Sequence, residues 1–184
     1  MTIPRNLYLD KDDTGYLLRQ EPINLTESYD KGMCVLSKKI SIDEVNKLFE
    51  ANNSYSLSFD LSFSFLPQKT NEDLIFQIIN DEKQYINLTY YSKTDNWTLT
   101  RKDKEINKKE YQSIQILKET SSDSKKRKHV RLIIDKNSAE VFLDHGKKVA
   151  TNLFFPSGGK LPRVEIKSSN TEIKLLDFSL QKFK

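Results

Sequence analysis

Val-Arg-Leu-Ile-Ile-Asp-Lys-Asn-Ser-Ala-Glu-Val-Phe-Leu-Asp-His-Gly-Lys-Lys-Val-Ala-Thr-Asn-Leu-Phe-Phe-Pro, residues Val130 to Pro156, decides how the rest of the chain is read. Val130, Leu132 and Ile134 alternate with Arg131, Ile133 and Asp135, a period of two that sends the two sets to opposite faces of a sheet. Lys136-Asn137-Ser138 interrupts the run, and Ala139 to Leu143 resumes it. Asp144-His145-Gly146 supplies turn residues that accept positive φ. Val149, Thr151, Leu153 and Phe155 then line one face of the next strand, and Pro156, with no N–H to give a ladder, closes it. The stretch reads as two strands, or three short ones.

The same alternation spreads outward. From Tyr55 to Phe65, Tyr55, Leu57, Phe59, Leu61, Phe63 and Phe65 alternate with Ser56, Ser58, Asp60, Ser62 and Ser64, so one face is buried and the other meets water or small hydroxyls. A slip of one residue would expose every ring in it. Further strands are expected at Val35–Ile42, Leu74–Ile79, Tyr85–Tyr91, Asn96–Arg101, Ser113–Leu117, Arg163–Lys167 and Ile173–Leu180. Asn24–Met33, Lys102–Glu110 and Glu119–Lys128 read as polar connections, and Ser157-Gly158-Gly159 as a flexible one. Asp43 caps one short helix whose Val45, Leu48 and Phe49 form a single apolar stripe, and Asn52-Asn53 stops it. Many short strands with one helix and no internal repeat give an all-β fold, a two-sheet antiparallel β-sandwich of the lectin-like jelly-roll kind.

A chain of 184 residues buries roughly 70% of the surface exposed when unfolded, so its core needs no staple. The formal charge of +4 is too mild to imply nucleic acid. A single cysteine, Cys34, excludes an internal disulfide and reads as a buried spectator thiol. No uncharged apolar run reaches the roughly 18 residues of a membrane span.

Candidate chemistry is sparse. Asp135 and Glu140 are isolated acids on strands and turns and belong with the fold; Asp135, where a strand ends, is placed to accept N–H bonds from the Lys136-Asn137-Ser138 turn. His129 and His145 stand without a cluster at metal-ligand spacing, and His145 is expected to be exposed at a turn tip, so no metal or other cofactor is expected. Lys125-Lys126-Arg127-Lys128 lacks the interleaved aromatics of a nucleic-acid site and reads as a solvated loop. Gly158-Gly159 lacks the strand, lysine and helix of a phosphate loop. In Tyr85–Tyr91, Ile86, Leu88 and Tyr90 take the inner face. Tyr85 and Tyr91 are left outside with Asn87 and Thr89, a polar face that can stack a sugar, whereas Trp97 shares parity with Leu99 and belongs to the core. Asn24, Asn52, Asn87 and Asn96 begin Asn-x-Ser/Thr sequons that matter only on a eukaryotic secretory path.

Asp135-x-x-Ser138-x-Glu140-x-Phe142, then Asp144-x-Gly146, then Thr151 and Phe155-Pro156, resembles the series found in the C-terminal β-sandwich of glycoside hydrolase family 32, the levanases, inulinases and invertases. Thr2-Ile3-Pro4-Arg5-Asn6-Leu7 resembles the segment closing the last blade of that family's catalytic β-propeller, departing at Asn6 where an acid is usual. Tyr16–Ile23 resembles the segment that enters the sandwich. The resemblance implies that residues 1–23 end the propeller and link it to a sandwich of residues 24–184. Asp135, Ser138, Glu140, Phe142, Gly146 and Pro156 would be its structural motif.

It also implies a parent that hydrolyses β-D-fructofuranosyl bonds of levan, inulin or sucrose by the retaining route, with a carboxylate nucleophile and a carboxylic acid. Those acids lie in Asn-Asp-Pro, Arg-Asp-Pro and Glu-Cys motifs of the propeller. Here no proline follows an aspartate and Cys34 follows Met33, so the chain alone is expected to be inactive. The expected partner is the catalytic propeller of the same parent, whose sandwich stabilises it. Fructan or sucrose is a further candidate ligand through Tyr85 and Tyr91, and a homo-oligomer a candidate state. The alternative is a freestanding fructan-binding module. The Asn, Lys and Ile content suggests a bacterial source, hence an extracellular or periplasmic enzyme.

Overall fold

The computed structural model describes residues 3–12, 15–51, 58–67, 73–104, 110–118, 126–154, 162–170 and 172–184. Thirteen strands, one α-helix and one short 3-10 turn (Thr26–Ser28) occur among these residues. Strands β1 (Arg5–Asp12) and β2 (Gly15–Pro22) form an antiparallel hairpin of their own. Strands β3 (Tyr29–Ser41), β4 (Phe59–Phe65), β9 (Lys128–Asp135), β10 (Ser138–Leu143), β11 (Lys148–Leu153) and β13 (Lys174–Phe183) make a six-stranded sheet in the order β11-β10-β9-β4-β13-β3. Strands β5 (Leu74–Ile79), β6 (Tyr85–Tyr91), β7 (Asn96–Lys104), β8 (Glu110–Lys118) and β12 (Arg163–Ser168) make a five-stranded sheet in the order β12-β5-β6-β7-β8. Every pairing is antiparallel, and the two sheets face each other as a β-sandwich.

The alternating residues do what their period demands. Phe59, Leu61, Phe63 and Phe65 of β4 and Val130, Leu132 and Ile134 of β9 are buried in one cluster with Phe76 and Ile78 of β5, Ile86, Leu88 and Tyr90 of β6, and Trp97 and Leu99 of β7. Phe65, Tyr90 and Trp97 meet edge-on or tilted at centroid distances of 5.0–6.0 Å, the arrangement their ring quadrupoles favour. Helix α1 (Ile42–Ala51) buries Val45 and Phe49 and packs against β12 and β3, the edge strands of the two sheets on that side. Its start is set by Ser41, not Asp43. Glu44 Oε2 accepts the Ser41 N–H at 2.8 Å and Ser41 Oγ accepts the Glu44 N–H at 3.3 Å, a reciprocal capping box that leaves Asp43 as a first-turn acid.

Several expectations are corrected. Strand β3 begins at Tyr29, inside the stretch read as a loop, because its first residues find partners the local sequence does not show: Tyr29 stacks on Phe183 at 5.4 Å and its hydroxyl donates to Asp60 at 2.6 Å. Strand β7 runs on to Lys104 and β8 opens at Glu110, so both ends of the polar Lys102–Glu110 excursion are strand, and residues 105–109 lie outside the described residues. Lys128 is no part of a solvated loop. It opens β9, is buried, and reaches Asp95 at 2.8 Å. Cys34 is exposed rather than buried, since β3 is the sheet's edge and Cys34 lies 3.7 Å from Gln181. The outer face of β4 is not left to water, as Asp60 and Ser64 are buried there. Residues 5–22, where the resemblance implies propeller end and linker, form paired strands, which is compatible with that expectation. Asn52, Asn53, Tyr55, Leu57, Phe155, Pro156, Gly158 and Gly159 lie outside the described residues.

Candidate functional site

The residues of the quoted motif converge on the N-terminal hairpin. Period two on β10 sends Ala139, Val141 and Leu143 into the sandwich and Ser138, Glu140 and Phe142 to the opposite face of the six-stranded sheet. Glu140 there is only 1% exposed, and both its oxygens are occupied. Oε1 accepts the Ile3 N–H at 2.5 Å and Oε2 the Arg5 guanidinium at 2.9 Å. The guanidinium also donates to Thr151 Oγ1 on β11 at 2.9 Å and to Gln20 Oε1 on β2 at 3.0 Å. Its carbon lies 5.3 Å from the centre of the Phe142 ring. Phe142 and Ile133 are buried on this face without belonging to the core between the sheets.

The turn after β10 adds a backbone contact. Asp144, His145 and Gly146 all have positive φ, and the Gly146 carbonyl accepts the Gln20 N–H at 2.9 Å. A Cβ on Gly146 would sit 1.9 Å from the Gln20 carbonyl oxygen, so only glycine admits the hairpin this close. The hairpin's root is closed by the Ile23 N–H to the Pro4 carbonyl at 3.1 Å. Asp135, at the end of β9, accepts the Lys136 N–H at 2.7 Å and is exposed, and Ser138 pairs with it across the turn. Neither touches the hairpin in any described contact.

The hairpin is amphipathic. Its register puts Arg5, Leu7, Leu9, Tyr16, Leu18 and Gln20 on one face. Arg5 and Gln20 hold the sandwich, while Leu7, Leu9, Leu18 and Tyr16 are 63%, 70%, 50% and 73% exposed. On the other face Arg19 pairs with Asp10 at 2.7 Å and with Glu21, and lies 4.6 Å from the Tyr8 ring centre. Two strands alone are marginal in water, so this unit depends on its clamp.

Elsewhere the structure unites residues the sequence kept apart. His129 and His145 stack with centroids 4.0 Å apart. Their separation of sixteen residues hid this; the Asp144 N–H donates to the His129 carbonyl at 2.8 Å just beyond the last β9–β10 pair, which brings the turn that carries His145 beside His129. His145 is exposed at the turn. Burial foremost, then the charge of His145, pushes His129 down to about 4, with Arg131 and Arg127 acting the same way and Asp144 opposing. A histidine that stays neutral when folded but takes a proton when unfolded makes stability fall as pH drops from about 6.5 to about 4. The expected result is a melting temperature that declines through this window in the wild type and declines less in His129→Gln; equal declines in thermal melts would refute the assignment. No group of three or more metal-ligating side chains occurs among the described residues. None of the described helices is long and apolar enough to cross a membrane.

Tyr85 and Tyr91 both lie on the outer face of the five-stranded sheet, Tyr85 half-buried and Tyr91 exposed. Six residues separate them, about 20 Å at ~3.3 Å per residue, so they do not converge on one sugar ring. Between them Asn87 accepts from Gln77 at 2.8 Å, and Gln77 accepts from Lys167 at 2.9 Å. Trp97 is in the core.

Residues 25–182 match the family described as "Glycosyl hydrolases family 32 C terminal". The chain belongs to that family. The chain is 27% identical over 159 residues to a levanbiose-producing levanase of Bacillus subtilis, covering 84% of this chain and 29% of that protein. Among solved structures, the β-fructofuranosidase of Schwanniomyces occidentalis superposes with a TM-score of 0.67 at 15% identity, over 99% of this chain and 40% of the other. The exo-inulinase of Aspergillus awamori gives 0.65 at 16%, over 100% and 36%. The chain thus spans less than a third of the levanase and about two-fifths of the β-fructofuranosidase. The structural likeness bears on the fold, and it extends to the hairpin that the family match leaves out.

Proposed function

We propose that this chain is the non-catalytic C-terminal sandwich of a larger β-fructosidase, and that the hairpin clamp fastens the catalytic β-propeller to it. The observation that carries this reading is the hairpin itself. Residues 3–22 precede the family match, are gripped by Glu140, Phe142 and Gly146, and present Leu7, Leu9, Leu18 and Tyr16 to solvent. An apolar face on a unit too small to stand alone is what remains when a strand pair is viewed without the domain that covers it. Residues 1–23 then belong to the end of the propeller and its link.

The sandwich does no chemistry in this scheme. Glu140 has both oxygens committed to Ile3 and Arg5, which leaves it unsuited to proton transfer or nucleophilic attack. The parent cleaves β-D-fructofuranosyl bonds of levan, inulin or sucrose by the retaining route, with both carboxylates on the propeller, and works outside the cytoplasm. The sandwich raises the stability of that propeller.

The test is an antibody against this chain applied to the source cell. The expected result is a polypeptide much larger than 21.5 kDa whose immunoprecipitate releases fructose from sucrose or levan. A band at 21.5 kDa without fructosidase activity would overturn the reading and leave a freestanding fructan binder to be tested through Tyr85 and Tyr91.

A further inference from the structure

The turn that grips the hairpin is itself held by one residue of β9. Asp144 (φ +47°) and His145 (φ +57°) stand in succession in the left-handed region, which residues with a Cβ keep only where their surroundings hold them. His129 holds both. Its carbonyl accepts the Asp144 N–H at 2.8 Å and its N–H donates to Asp144 Oδ1 at 3.0 Å, while its ring stacks on His145 at 4.0 Å. The next residue, Gly146, offers the carbonyl that accepts the Gln20 N–H of the hairpin. Imidazole, turn and hairpin form one continuous series of contacts.

That series suits a neutral His129 and opposes a charged one. Its Nδ1 is buried and meets no hydrogen-bond partner among the described residues, so a proton placed there would be a buried donor without an acceptor. His145 faces the ring from the turn, and Arg131 and Arg127 flank it along its own strand; all three oppose a charge, although Asp60 pairs with Arg131 and Asp177 of β13 with Arg127. Asp144 favours the charge, and on β4 the cross-strand partner is the uncharged Ser64. Burial foremost, and then these charges, hold His129 down to about 4 while the turn is closed. In an opened turn the ring meets water and regains its ordinary value of 6.5.

We propose that the His129–His145 stack is a pH-sensitive latch on the N-terminal hairpin: proton uptake by His129 parts the rings, the Asp144-His145-Gly146 turn withdraws, and the hairpin loses its backbone anchor at Gln20. The closed latch excludes the proton and the open one takes it. The ratio of open to closed therefore rises by up to ~10-fold for each unit of pH lost between about 6.5 and about 4. Nothing in this coupling involves a fructosidase activity, so it and the proposed function can fail separately.

Hydrogen exchange of the full chain as a function of pH, with the intrinsic exchange rate divided out, tests the latch. The protection of the Gln20 amide is expected to fall by ~10-fold per pH unit through the window, staying below that of the β4 amides at every pH. His129→Phe keeps a flat ring for the stack but has no nitrogen to protonate, and is expected to hold Gln20 protection constant. His145→Asn changes an exposed position and is expected to lower that protection already at neutral pH. Constant protection in the wild type overturns the proposal. So does an equally steep fall in His129→Phe, because Glu140 of the clamp or Asp10 and Glu21 of the hairpin then titrate instead. Gln20 and β4 amides that share one level of protection would mean that the whole sandwich opens, which refutes a latch. If His129→Phe fails to fold, His145→Asn decides: Gln20 protection equal to that of the wild type at neutral pH shows that the stack does not hold the turn.

Discussion

Glu140→Ala is expected to free the N-terminal hairpin while leaving both sheets folded. Glu140 is almost wholly buried, yet it lies outside the core between the sheets, so its loss opens no cavity among the packed aromatics. What it removes is the acceptor for the Ile3 N–H and the counter-charge of Arg5. Breaking a buried ion pair from one side costs about 3–5 kcal/mol, most of it the charge left behind. That exceeds what an isolated two-stranded unit can supply. In hydrogen exchange, the paired amides of Arg5–Asp12 and of the residues from Gly15 to Glu21 are expected to lose protection by orders of magnitude, with those of β4 and β9 unchanged. Arg5→Met/Glu140→Leu, which leaves no charge behind, is expected to recover much of the loss. Hairpin protection unchanged in Glu140→Ala would show that the Gln20–Gly146 and Ile23–Pro4 bonds suffice without the ion pair.

The strands of this fold were legible wherever burial imposed a period of two. Leu74–Ile79 and Tyr85–Tyr91 are bounded as the alternation demands, and Trp97 enters the core by parity with Leu99. Legibility failed where partners came from far along the chain. Tyr29 is strand because of Phe183 and Asp60, and Lys128 is buried because of Asp95. The clamp shows both regimes. Glu140, Phe142 and Gly146 stand out through family resemblance, but a buried acid in a strand carries no local mark of its counter-ion. Arg5 lies 135 residues away. The signal that could have found it was the pairing of an outward-facing Glu140 with the single arginine of the Pro4-Arg5 segment, two motif residues with no other evident use.

Gly146→Ala is expected to be the most damaging glycine substitution in the described chain, through backbone geometry instead of charge. At φ +81° an L side chain is strained by roughly 1–2 kcal/mol. The added Cβ would also lie 1.9 Å from the Gln20 carbonyl oxygen and 2.7 Å from its carbon. These are main-chain atoms of a paired strand, and no rotamer relieves them. The hairpin must withdraw and surrender the Gln20–Gly146 hydrogen bond, about 1 kcal/mol more. Gly15 separates strain from collision, because its φ is +132° but nothing lies within 4 Å of its Cβ position. Gly32 has neither, its nearest neighbour being Asp30 Oδ1 at 3.5 Å. Alanine scanning is therefore expected to rank the thermal losses Gly146, then Gly15, then Gly32. Only Gly146→Ala should accelerate exchange throughout the hairpin as Glu140→Ala does. Because both act on one clamp, the double variant is expected to lose less than the sum of the singles. Equal losses at Gly146 and Gly15 would mean that the hairpin yields to the methyl at no cost, and that the turn after β10 does not hold it.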